Sequence, residues 1–172
     1  GPLKENILLP IIGDFDGIIC GDDEITRKVI DAGKKGNLKV TSKYGIGLDK
    51  IDLKSADEFG IKVCNTPGVN HITVSEHILA LLFSFYKNIH LEHNITKDGK
   101  WKRLIGYEIY GKKIGIVGYG RIGNELAQRC LALGLSIKAY DPYVTNKSSI
   151  SSEVEFVGNI NELVKNIDIL AL

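Results

Sequence analysis

Three glycines and one aspartate carry the clearest chemistry in the sequence. Lys112-Lys113-Ile114-Gly115-Ile116-Val117-Gly118-Tyr119-Gly120-Arg121-Ile122-Gly123 reads as a short apolar strand, a G-Y-G-R-I-G turn and the start of a helix. In such a turn Gly118 permits the tight reversal, Gly120 lets a pyrophosphate approach the backbone, and Gly123 lets helix and strand pack closely. The helix N-terminus adds free N–H groups and the positive end of its dipole. Asp141 lies 18 residues beyond Gly123, at the end of the next apolar run. Its carboxylate can accept both hydroxyls of an adenosine ribose and would repel a 2′-phosphate, which favours NAD over NADP. G-x-G-x-x-G alone is weak; the strand, helix, second strand and acid around it make it specific. The plainer alternatives are a strand–turn–helix with no nucleotide, Asp141 as a strand-end turn residue, and Arg121 as a solvated residue of the first turn.

Lys43-Tyr44-Gly45-Ile46-Gly47-Leu48-Asp49 is a second candidate. Successive backbone N–H groups in a glycine loop can form a nest for a carboxylate, with Lys43 adding charge. An ordinary turn explains the same residues equally well. The histidines carry less. His90 and His93 have helical spacing without a third ligand nearby, so they read as a solvated helix end and no metal site is expected. Glu76 and His77 are adjacent on a helix and point about 100° apart, so they do not face each other. No G-x-S-x-G, Walker A loop or H-E-x-x-H occurs.

Composition narrows the class. The 172 residues can bury a proper core but are short for two complete domains. With 22 Lys+Arg against 21 Asp+Glu there is no electrostatic footprint for nucleic acid or an anionic membrane. The longest apolar run, Ile78 to Phe83, is far below the ~20 residues that span a bilayer. No signal peptide is visible, and Gly1-Pro2-Leu3 reads as an added or internal start. Cys20, Cys64 and Cys130, far apart and odd in number, read as reduced thiols of a cytoplasmic protein.

The elements that must position these residues alternate. Residues 3–12 are apolar without a clear period. Strands are expected at Ile18–Cys20, Leu38–Ser42 and Ile61–Cys64. Between them come a helix capped by Asp22 or Asp23, with Ile25, Val29 and Ile30 on its apolar face, and a short one capped by Asp52 and ended by Gly60. That rhythm is a parallel sheet with covering helices. From Thr73 to about Asn88 a long helix is apolar around its whole circumference at Ile78–Phe83, so it is expected to be buried on two sides. A core helix between two domains is one reading; contact with a second subunit is the other. Residues 91–111 read as a polar, irregular surface connection anchored by Trp101. After the glycine turn come a helix with Ile122, Leu126 and Cys130 on one face, a strand at Ser136–Tyr140, a polar serine-rich segment, a short strand near Val154–Val157, a helix around Asn161–Lys165 and a strand at Asp168–Leu172. The boundary between 1–68 and 69–172 is placed at the entry to the long helix.

With these residues assembled, the sequence resembles the D-isomer-specific 2-hydroxyacid dehydrogenase family, which includes D-3-phosphoglycerate dehydrogenases and corepressor relatives. K-Y-G-I-G-L-D-K-I-D, C-N-T-P-G, V-S-E-H, K-D-G-K-W, G-K-K-I-G-I-V-G-Y-G-R-I-G and Y-D-P-Y carry the likeness, in that order, from Asp14 to Leu172. The resemblance implies an α/β fold of two Rossmann-like domains with parallel sheets, both incomplete here: a flavodoxin-like substrate domain at 1–68 and an NAD-binding domain at 69–172. It places Arg121 and Ile122 on the cofactor phosphates, Asp141 on the adenosine ribose, and Ile46 and Val74 near the nicotinamide. Gly45 and Ile46 would hold the substrate carboxylate, with Lys43 a basic substrate contact. The helix at 73–88 would join a homodimer. Lys50 departs from the Asn usual at that position. The family's catalytic Arg, Glu and His are expected after Leu172, so no catalytic residue is assigned and this chain alone is expected to be inactive. The implied reaction is NAD-dependent hydride transfer to or from a 2-hydroxy or 2-oxo acid. K-D-G-K-W and Lys43 lean toward 3-phosphoglycerate and serine biosynthesis, with hydroxypyruvate, glyoxylate and D-lactate open. The alternatives are an NAD-binding, corepressor-like interaction protein and a hydrolase that retains NAD.

Overall fold

Short β-branched runs alternating with amphipathic helices give two parallel sheets, each inside its own compact unit: Gly1–Asn70 and His71–Leu172. The structure is a computed structural model that describes residues 1–144 and 152–172. The expected serine-rich segment lies mostly outside the described residues.

In the first unit β1 (Gly17–Cys20), β2 (Val40–Lys43) and β3 (Lys62–Cys64) pair in parallel in the order β1-β2-β3. The register sets Gly17 beside Val40, and Val40 beside Lys62. A short helix α1 (Glu5–Leu8) occupies the stretch that shows no period in the sequence. Helices α2 (Arg27–Lys35) and α3 (Leu53–Glu58) are the crossovers and pack on one another. Ile12, Ile25, Val29, Ile30, Leu38 and Ile61 form the core between them. Asp52 caps α3 as expected, accepting the Ser55 N–H at 2.9 Å. The cap expected for α2 is corrected. Thr26, not Asp22 or Asp23, precedes the helix and accepts the Val29 N–H at 3.5 Å. The helix starts late because Ile25 makes an isolated parallel bridge to Ile51.

The second unit opens on α4 (His71–Tyr86) and α5 (Ile89–Lys97). Asn88, at φ 56°, separates them, and its side-chain amide donates to Ile105 O at 3.0 Å. Asn is among the few residues that adopt this conformation readily. The irregular connection expected at 91–111 is therefore helical as far as Lys97. Trp101 is not an anchor: it is 99% exposed. Within this chain α4 is covered on one side. Ile78, Leu79, Leu82, Phe83 and Tyr86 pack on the core, while Leu81 and Phe85 are exposed.

Strands β4 (Lys113–Val117), β5 (Ser136–Tyr140), β6 (Val154–Phe156) and β7 (Ile169–Ala171) form the second sheet in the order β6-β5-β4-β7, all parallel. Helix α6 (Arg121–Ala132) links β4 to β5, and the short α7 (Ile160–Leu163) precedes β7. Ile114, Ile116, Ile137 and Ala139 meet Leu126, Ala127 and Cys130 of α6 in the core, and α4 packs on α6. From β4 the chain steps outward to β5 and β6, then returns to the other side of β4. That reversal is the switch point of the sheet, and sheets of this kind bind ligands beyond the carboxyl ends of the strands at such a point.

Candidate functional site

The carboxyl end of β4 runs straight into the glycine turn. Gly118 takes φ +88°, a conformation most side chains avoid, and its N–H donates to Tyr140 O of β5 at 2.8 Å. Gly123, in the first turn of α6, is buried against the start of the same loop. A Cβ there would overlap Gly118 O and meet Ile116 Cγ2 at 3.3 Å. Gly120 is the opposite case. It caps α6 with no side-chain bond, and a Cβ on it would meet no protein atom within 4 Å. Gly123 is thus small for the fold, and Gly120 is small beside open space at a helix N-terminus, where an anion fits.

Asp141 stands beside this turn. Its Oδ2 accepts the Tyr119 N–H at 2.7 Å and its Oδ1 the Tyr143 N–H at 2.8 Å. Each carboxylate oxygen retains capacity for another donor, so the acid can hold the turn and accept hydroxyl groups together. Tyr119 supports the arrangement from within. It is 7% exposed, and its ring meets Phe156 of β6 edge-on, with centroids 4.9 Å apart. Burial raises its phenol pKa. Sequence reasoning passed over Tyr119 because the second position of the motif accepts many residues. Arg121 is exposed and Ile122 half-buried on the first turn of α6. The second unit therefore brings Gly118, Gly120, Arg121, Ile122, Gly123 and Asp141 together. Val74 is half-buried on the first turn of α4.

The first unit gathers Lys43, Gly45 and Ile46 at the carboxyl end of β2. Gly45 takes φ +138°. Thr66 clamps it from the C-N-T-P-G segment: Gly45 N–H donates to Thr66 Oγ1 at 3.0 Å, and Thr66 N–H donates to Gly45 O at 2.9 Å. The Asn65 amide donates to Ile46 O at 2.9 Å. The roles of Thr66 and Asn65 were not legible, although their motif was. Among the described residues no hydrogen bond engages the Ile46 or Gly47 N–H. That pair of donors suits a carboxylate. Lys43 is 6% exposed, and its ammonium donates to Gly21 O and to Asp22 Oδ1, each at 2.6 Å. The Asp22 bond raises the Lys43 pKa against the opposing effect of burial, and the same bond lowers that of Asp22.

The remaining sequence candidates stay apart. His90 Nδ1 lies 3.3 Å from both Ser84 Oγ and Ser84 O, while His93 is exposed. Among the described residues no group of three or more His, Cys, Asp or Glu could hold a metal ion. No described helix is long and apolar enough to cross a membrane.

Known proteins share this arrangement. The model of the NAD binding domain of D-isomer specific 2-hydroxyacid dehydrogenases matches residues 79–172. D-3-phosphoglycerate dehydrogenase of Methanocaldococcus jannaschii is 39% identical over 173 residues, covering 99% of this chain and 33% of that protein. Hydroxypyruvate reductase of Thermotoga maritima is also 39% identical, covering 99% of this chain and 55% of its own length. The crystal structure of NAD-dependent formate dehydrogenase from Staphylococcus aureus in complex with NAD superposes with a TM-score of 0.84 at 29% identity, covering 96% of this chain and 50% of that one. The chain thus spans between a third and about half the length of these proteins. It is a member of the D-isomer-specific 2-hydroxyacid dehydrogenase family and contains sequence of that family's NAD-binding domain.

Proposed function

We propose that the full-length protein is an NAD-dependent oxidoreductase acting on a D-2-hydroxy acid or its 2-oxo partner, with NAD carried by the His71–Leu172 unit and the acid substrate by Gly1–Asn70. One observation supports this most directly. An acid at the end of β5 is hydrogen-bonded to the backbone of the glycine turn that ends β4, at the reversal point of the sheet. When bound, NAD supplies the hydride acceptor at the nicotinamide ring. The amino end of α6 offers N–H groups to the two phosphates, Gly120 leaves them room, and Arg121 and Ile122 border them. Asp141 accepts the ribose hydroxyls. The N–H groups at Ile46 and Gly47 take the substrate carboxylate. The exposed residues of α4 join two copies of the protein. The relatives' names include both phosphorylated and unphosphorylated acids, so 3-phosphoglycerate and hydroxypyruvate are both within the proposed substrate class.

Two measurements test the reading. The full-length protein should oxidise NADH in the presence of a 2-oxo acid; failure with hydroxypyruvate, its 3-phosphate, glyoxylate and pyruvate alike would overturn it. Asp141→Arg should move the NADP-to-NAD affinity ratio by about tenfold or more, the equivalent of roughly 1.4 kcal/mol. An unchanged ratio would remove Asp141 from the ribose.

A further inference from the structure

Lys43 looks in the sequence like a cation offered to substrate, but its ammonium is committed. The side chain is 7% exposed, whereas that of its partner Asp22 is 76% exposed. The stem runs beneath the carboxylate loop: a Cβ on Gly45 would lie 3.4 Å from Lys43 Cε. Two of the three N–H donors go to Gly21 O and Asp22 Oδ1, so the ammonium ties the end of β1 to the end of β2. A buried ammonium needs such a partner, because an uncompensated charge taken out of water is costly.

The surrounding charge follows from the same contacts. Asp22 and Asp49 both act electrostatically on Lys43, Lys50 acts on Asp22, and Asp23 acts on neighbouring Cys20. Asp23 is itself held in place, accepting the Gly21 N–H at 2.7 Å and the Leu3 N–H at 2.6 Å. Asp22 and Asp49 thus both bear on the buried ammonium, which Asp22 already neutralises. The N–H donors at Ile46 and Gly47 can meet one carboxylate. A second, doubly charged group close by would meet Asp22.

Resting on the dehydrogenase reading above, we propose that Asp22 is a specificity-determining residue: by occupying Lys43 and adding its own charge, it selects 2-oxo acids with a single carboxylate over those that also carry a phosphate. Asp22 acts through Lys43 and through its own field and touches no reacting atom.

The test compares hydroxypyruvate with its 3-phosphate as substrates of the full-length enzyme with NADH. Wild type should favour hydroxypyruvate in kcat/KM. Asp22→Asn should raise the phosphorylated-to-unphosphorylated ratio by about fivefold, the size expected when one exposed charge is neutralised. The change should reside in KM for the phosphorylated acid and shrink in high salt. Asp22→Glu, which keeps the charge, should retain the wild-type ratio. A ratio unchanged in Asp22→Asn, or a parallel loss with both substrates, would show that Asp22 merely holds the loop together and would overturn the proposal. So would a wild-type preference for the phosphorylated acid. A wild-type protein inactive on both acids would instead sink the parent dehydrogenase reading.

Discussion

Replacing Gly120 and Gly123 separately by alanine should divide binding from folding within one turn. At Gly123 the added methyl would overlap the backbone oxygen of Gly118 and press on Ile116 Cγ2 at 3.3 Å. Backbone cannot swing aside as the end of a flexible side chain can, so α6 must lift from β4. Overpacking of this kind costs about 1–3 kcal/mol, and a rigid obstacle puts Gly123→Ala near the top, at about 3 kcal/mol. For a domain of about 60–100 residues that lowers the melting temperature by on the order of 12–24 °C. At Gly120, φ is −74° and a Cβ meets no protein atom within 4 Å. Gly120→Ala should therefore cost only the roughly 1 kcal/mol of an alanine at an N-cap, well short of Gly123→Ala. It should weaken NAD at least tenfold, roughly 1.4 kcal/mol, because the methyl enters the space assigned to the phosphates. Calorimetric melting of the chain with and without NAD reads both effects. The transition that NAD moves upward identifies the His71–Leu172 unit, and NADH fluorescence titration gives the affinity. A Gly120→Ala variant that binds NAD like wild type would refute the placement of the phosphates. A Gly123→Ala variant that melts like wild type would refute the packing argument.

Two further outcomes follow from burial and charge. Cys20 and Cys130 are buried, and burial pushes both thiols up, Cys130 to about 11, whereas Cys64 is exposed. A maleimide at pH 7 should label Cys64 alone, the others reacting only on unfolding; early labelling of Cys130 would contradict its place under α6. Acid should open the first unit before the second. Hydrogen bonds from the Ser55 backbone, Arg27 and Lys39 hold the carboxyls of Asp52, Glu58 and Asp16 below their usual range, while Asp168 is lowered in the second unit by the Lys113 N–H. A depressed native pKa gives stability that is complete above the unfolded value and lost as pH falls through the native one, so the loss begins below about pH 4. Hydrogen exchange should show Gly1–Asn70 losing protection first on acidification, and earlier opening of His71–Leu172 would refute the ordering.

What could be read from sequence was what the backbone demands. Gly118 needs its positive φ and Gly123 its close approach whatever surrounds them, so their spacing announced the turn. The alternation of apolar runs and helices likewise announced parallel sheets, because only crossovers of that length join parallel strands. Helix ends were less legible. Thr26, Asp22 and Asp23 are all good caps by type, and the choice fell to Thr26 because Ile25 first bridges Ile51, a pairing across the unit. The uniform apolarity of Ile78–Phe83 is incompletely legible for a related reason. It shows that a helix has apolar sides without showing what covers each, and the exposed Leu81 and Phe85 have no such cover within this chain.

Lys43 marks where residue type stops being informative about chemistry. A lysine beside a glycine loop offers charge to a ligand only if no nearer acceptor has claimed it. Here the claimant is Asp22, more than twenty positions earlier and at the end of a different strand. The register that sets Cys20 beside Lys43 brings the two within reach, and that register comes from packing Val29, Ile30 and Leu38 beneath the sheet. A glycine turn can therefore reveal a cofactor from its own residues alone. The charge pair of Lys43 and Asp22 exists only once the first unit has folded, and on the proposal above this makes Asp22, unremarkable by spacing, the residue on which substrate choice should turn.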